Sequence, residues 1–207
     1  MPPHFFWLEL MSVGKLITFF STFTRLPVYI EDVRDQMIEM GVQDEIILVP
    51  MDVPPEKLLG MLVKYRTSTL YEQAKYCSIV FYNTNVSRDM QRVICCKELM
   101  HLFDGEVSLT RTPEDVSDLV DGVLDLSKAL SSGPLTTTNQ TLLDHMALLM
   151  ALAVLFPHEI RDDFIAAHDS GRMSVGDIAE EFDIPASCIP TLLNKAWDAT
   201  RAILLKV

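Results

Sequence analysis

Positive charge is what this chain has least of. Lys and Arg number 17 against 29 Asp and Glu, leaving a formal net charge of -12 and a pI near 4.7. A broad phosphate-binding surface needs clustered cations to displace counterions, so nucleic acid is not expected as a partner. Glycine is scarce, with 8 residues, and no low-complexity stretch interrupts the chain, so disorder is not expected beyond the termini. Cysteine is limited to Cys77, Cys95, Cys96 and Cys188, and the adjacent pair cannot bridge to itself without strain. The set reads as buried free thiols in a reducing, cytoplasmic compartment. No Gly-rich phosphate loop and no serine in a nucleophile elbow occurs. Asp115, Asp118, Asp121 and Asp125 lack the glycine and alternating oxygens of a calcium loop and read as a solvated helix face. His4, His158 and His168 have no partner at metal-ligand spacing.

Uninterrupted apolar runs are also few. The segment 5–23 is apolar, but Glu9 and Lys15 break it and no basic stretch precedes it, so neither a membrane span nor a secretion signal is expected. The spacing of Leu8, Met11, Lys15, Ile17 and Phe20 suits an amphipathic helix packed on the body of the protein, or on a second subunit in a homodimer. The chain then divides into an N-terminal apolar helix or arm, 1–30, and a single domain, 31–207, whose length is ordinary for one core.

Along that domain the pattern predicts a short helix over 31–40 closed by Gly41, and a compact β-branched strand over 45–51. Residues 61–67 alternate partially and suit a second strand, with a helix from Pro54-Pro55-Glu56 competing for its first half. A third strand over 77–83 ends in the turn cluster Asn83-Thr84-Asn85. Ser87 is a good N-cap for a helix over 87–103, whose second half is apolar nearly all the way round and therefore buried. Helices are further expected over 114–125, 140–156, 159–168, 174–182 and 186–205, with breaks at Ser131-Ser132-Gly133-Pro134, Gly171 and Asp183-Ile184-Pro185. The fold class is α+β, mostly helical, with a small sheet of about three strands. Residues 174–193 also have the outline of a helix-turn-helix, but Asp177, Glu180 and Glu181 would repel phosphate, so a packed helical pair is the better reading.

The buried helix over 87–103 carries polar residues that need a reason. In an H-E-x-x-H helix two histidines one turn apart face one metal, and the Glu beside the first deprotonates a metal-bound water. Here Lys97-Glu98-Leu99-Met100-His101 has that spacing with lysine at the first position.

Two stretches carry a family resemblance. Residues 88–104, R-D-M-Q-R-V-I-C-C-K-E-L-M-H-L-F-D, resemble the R-x-x-x-A-H-E-L-x-H helix of the ImmA/IrrE zinc metallopeptidases. Residues 144–157, D-H-M-A-L-L-M-A-L-A-V-L-F-P, resemble that family's E-x-x-A-N-x-F-A-A-x-L-L-M-P helix in register from the acid to the proline. Residues 174–185 are similar to its L-A-x-x-F-x-V-S segment, so the resemblance covers roughly 45–195. It implies a zincin-like domain with the motif helix at its centre, and cleavage of repressor proteins by the members that hold zinc.

Carried onto this chain, the resemblance makes Glu98 the general base, His101 a metal ligand and Asp144 the acidic third ligand. Lys97 stands at the first ligand position, where an ammonium has no lone pair to offer and repels a dication. Zinc is therefore expected to be weak or absent. Cys96, His145 and Asp104 are the candidate substitute ligands, although Cys96 and His145 are each about 100° round their helix from the positions they would replace. A lysine in a buried site must be paired, and the expected pairing places its ammonium where the metal would sit, between Asp144 and Glu98 with His101 nearby. Two functions follow. One is a non-catalytic protein-binding or regulatory module whose partner is a protein or peptide, a repressor-like protein by the resemblance. The other is an active metal-dependent peptidase with unusual coordination and Glu98 as base.

Overall fold

The computed structural model describes residues 12–67, 75–104 and 139–206. The helix expected over 114–125, its acidic stripe, the break at 131–134 and the residues before Ser12 lie outside them. The described fold is α+β and mostly helical, with a three-stranded sheet.

Helix α1, Val13–Ser21, is N-capped by Ser12, whose side chain accepts from the Lys15 amide at 3.4 Å. Its apolar stripe, Val13, Leu16, Ile17 and Phe20, is buried in the same core as the rest of the chain. Helix α2, Ile30–Glu39, turns Val33 and Met37 inward, and Gly41 follows it at φ 106°, a conformation that glycine alone adopts without cost.

The strands are β1, Glu45–Met51, β2, Gly60–Thr67, and β3, Lys75–Asn83. Their order is β1-β3-β2, with β1 parallel and β2 antiparallel to the central β3. Residues 55–57 form only a turn, so the competing helix does not occur and β2 begins at Gly60. Asn83 is fully buried: its amide donates to the carbonyls of Val53 (2.9 Å) and Leu58 (2.6 Å), which ties that connection to the end of β3.

Helix α3, Arg88–Met100, lies against β2 and β3 on one side and against α4, Asn139–Leu155, on another. Two details differ from the sequence reading. Ser87 is the N-cap but makes no side-chain capping bond, and the helix tightens after Met100 into a 3-10 turn, His101–Phe103. The carboxylate of Asp89 in the first turn accepts instead from the Met90 amide, at 2.8 Å.

A 3-10 turn, His158–Ile160, leads to α5, Arg161–Asp169, followed by α6, Val175–Phe182. Helix α6 starts in a reciprocal capping box between Ser174 and Asp177 and ends on Asp183 in the left-handed region at φ 51°. The single helix expected over 186–205 is three pieces: a 3-10 turn, Ala186–Cys188, then α7, Ile189–Leu193, and α8, Ala196–Leu204. The break is chemical. Asn194 accepts from the Ala196 amide through its side chain (2.8 Å), and Arg161, 2% exposed, donates to the released carbonyls of Leu192 and Asn194, both at 2.7 Å. No single helix among the described residues is long and apolar enough to cross a membrane.

Candidate functional site

The last turn of α3, the 3-10 turn after it and the early part of α4 bring five ionisable side chains together. Lys97 and Glu98 come from α3, His101 from the 3-10 turn, Asp104 from just beyond it, and Asp144 from α4. The apolar residues around them explain the convergence. Cys95, Cys96, Leu99 and Met100 join Ala147, Met150 and Ala151 in the core, which draws α3 and α4 together and leaves their polar positions facing each other at its margin.

The ammonium of Lys97 lies 2.5 Å from Asp144 Oδ1 and 3.0 Å from Glu98 Oε1. The ring of His101 is held at both nitrogens: Nε2 is 3.1 Å from Asp144 Oδ1 and Nδ1 is 2.6 Å from Asp104 Oδ2. Carboxylates accept and do not donate, so this geometry suits a doubly protonated imidazolium. Burial disfavours the charged ring, but its hydrogen bonds to Asp104 and Asp144 and the nearby Glu98 outweigh it and raise the pKa to about 9. Burial works against Asp144 too, yet the His101 hydrogen bond and the Lys97 charge hold its carboxyl down at about 2. Lys97 is likewise opposed by burial and raised by Glu98 and Asp144. The cluster is a closed set of charge pairs, two cations among three carboxylates.

Glu98 is nearly inaccessible, at 4% exposure, because β2 crosses directly over it. A Cβ added at Gly60 would come 2.4 Å from Ile94 Cγ2 and 3.1 Å from both Cγ and Oε1 of Glu98, so only glycine allows this approach. Lys97 and Asp144 remain partly open, with side chains 23% and 31% exposed.

A zinc ion would need the lone pairs that these contacts use. Lys97 stands against both carboxylates, and neither His101 nitrogen is turned to a free position. The donor set as arranged does not fit the metal. Among the described residues, no three His, Cys, Asp or Glu side chains are grouped so that they could hold one. Of the substitutes, Asp104 sits behind His101, Cys96 is fully buried with its thiol facing the Ala151 carbonyl at 3.9 Å, and His145 is exposed. Burial pushes the Cys96 thiol up and that of Cys95 to about 12, which keeps both protonated.

Two supporting residues escaped the motif reading. Arg92 is buried inside α3 and donates through Nε to the Asp183 carbonyl (2.9 Å) and through Nη2 to the Val28 carbonyl (2.6 Å), fastening the helix to the end of α6 and to the segment before α2. An arginine directly before the apolar run Val93-Ile94-Cys95-Cys96 is the signal that could have found it. Gly60 gives no such signal, since its requirement comes from α3. No family model matches the chain, and no curated protein matches it.

Proposed function

We propose that this chain is a metal-independent, non-catalytic relative of the ImmA/IrrE metallopeptidases, acting in the cytoplasm as a protein-binding or regulatory module. The observation that carries the reading is the position of Lys97. Its ammonium neutralises the two carboxylates that would flank a metal and its water, so Glu98 has no activated water to deprotonate. The covering of Glu98 by Gly60 supports the same reading, because a general base needs room for water beside it. The lysine replaces the structural role of the dication, joining α3 to α4 by charge, and the fold can present a surface to a protein or peptide without performing chemistry. A repressor-like partner follows from the resemblance alone.

One observation favours the alternative, an active metal-dependent peptidase. Asp104 on the far nitrogen of His101 is the arrangement that orients a metal-bound histidine. Metal analysis of protein purified without added zinc, beside Lys97→His and His101→Ala, separates the two. The proposal expects no stoichiometric metal in the native protein and uptake only by Lys97→His. Stoichiometric metal in the native protein, lost in His101→Ala, would overturn it.

A further inference from the structure

Away from this cluster, a groove of about 450 Å³ runs between α1 and α2. One wall is aromatic, with Phe19 and Phe23 one turn apart; the other is one face of α2, with Asp32, Asp35 and Glu39 at i, i+3 and i+7. Phe19 is 45% exposed, a large apolar ring left open beside carboxylates.

The chain fills one end of this groove itself. Arg25 pairs with Asp32 and lies over the rings of Phe23, 5.7 Å from its centroid, and Tyr29, at 5.6 Å. A guanidinium between an aromatic face and a carboxylate of α2 is thus a chemistry the groove already accepts. One turn back on α1 and further along α2 the same elements recur, Phe19 with Asp35 and Glu39, with no arginine among the described residues laid over the ring. Among the described residues, Asp35 is met only from its own helix, by Arg34 at 2.8 Å, and Glu39 has no cation against it. With Arg25 counted, the groove's four charged side chains carry a net charge of -2, from three carboxylates and one guanidinium.

We propose that this groove docks an arginine-bearing apolar segment of a partner protein, seating a guanidinium between Phe19 and the Asp35–Glu39 face as Arg25 is seated between Phe23 and Asp32. An aliphatic side chain beside that arginine would cover the rest of the Phe19 ring. The basic charge complements both the groove and the acidic chain, so encounter is steered at low salt. The site is separate from Lys97 and stands whether or not the cluster binds metal.

The test uses the full chain and a fluorescein-labelled heptapeptide alternating arginine and leucine, with glutamate-for-arginine and lysine-for-arginine versions as controls, read by anisotropy. The arginine peptide is expected to bind, the lysine version several-fold more weakly, and the glutamate version not at all. Glu39→Lys and Phe19→Ser, both at exposed positions and checked for folding by circular dichroism, should each weaken the arginine peptide roughly tenfold. Equal binding of the arginine and glutamate peptides, or full binding by Glu39→Lys, would overturn the proposal. So would self-association that Glu39→Lys and Phe19→Ser abolish, since the occupant would then be a second copy.

Discussion

Lys97 Nζ and Asp144 Oδ1 lie 2.5 Å apart, 47 residues distant in the chain, and this contact joins α3 to α4. Lys97→Met keeps the length of the stem and removes the charge, leaving Glu98 without the ammonium beside it and Asp144 with the His101 ring alone. A fully buried pair broken this way costs several kcal/mol, and the partial exposure of both side chains reduces the expected loss to about 2 kcal/mol. Urea unfolding of Lys97→Met, Asp144→Asn and the double variant should give a coupling energy near 1 kcal/mol or more. Additive losses would mean that the pair is not joined in solution.

The ionisation of His101 and Asp144 sets a pH window for stability. His101 rises from 6.5 to about 9 on folding, so its contribution is full below 6.5 and is lost as pH climbs through 9. Asp144 falls from 3.8 to about 2, so its contribution is full above 3.8 and is lost as pH drops through 2. Together they are greatest between those limits. The His101 shift corresponds to about 3 kcal/mol at its upper bound, and chemical unfolding from pH 6 to 10 should show a decline that His101→Gln flattens. A native slope identical to that of the variant would contradict the charged, doubly held ring.

Gly60→Ala tests the contact between β2 and α3. The added methyl meets Ile94 Cγ2 at 2.4 Å and the Glu98 side chain at 3.1 Å, and the Ile94 side chain or the strand has to shift. A loss of about 1 to 3 kcal/mol is expected, of the size seen for overpacked cores, measured as a shift in the urea midpoint. A neutral result would show that the strand stands further from the helix than described.

Arg161→Met removes the donors that close the broken C-terminal helix, leaving the carbonyls of Leu192 and Asn194 without their partner. The cost should be about 2 to 3 kcal/mol, because the arginine is almost fully buried and serves several acceptors. Hydrogen exchange would locate the loosening in α7 and α8. Unchanged protection there would separate the break at Asn194 from the arginine.

Strand β1 and the long apolar helix α4 could be read from the chain because local pattern and tertiary environment agree: β-branched residues in one, seventeen residues ended by Pro157 in the other. The expected pairing of Lys97 with Asp144 and Glu98 was also readable, since a lysine on a buried helix face must find an anion. The spacing of Lys97, Glu98 and His101 placed them on one helix end without showing which groups each would meet. That His101 would be gripped from both sides, with Asp104 orienting it, required coordinates.

Other outcomes belong to packing alone. The last helix region carries good helix formers across Asn194, yet it breaks there because a buried arginine from another helix supplies donors for the freed carbonyls. Gly60 looks like any strand-leading glycine until α3 passes beneath it. Composition and periodicity by themselves determined the acidic surface, the mostly helical class and the identity of the polar residues in the core margin, because these depend on side-chain chemistry and local repeat. Tertiary structure decided which charges meet, since residues 47 positions apart in the chain are brought within hydrogen-bonding reach only when the apolar faces of α3 and α4 close on each other.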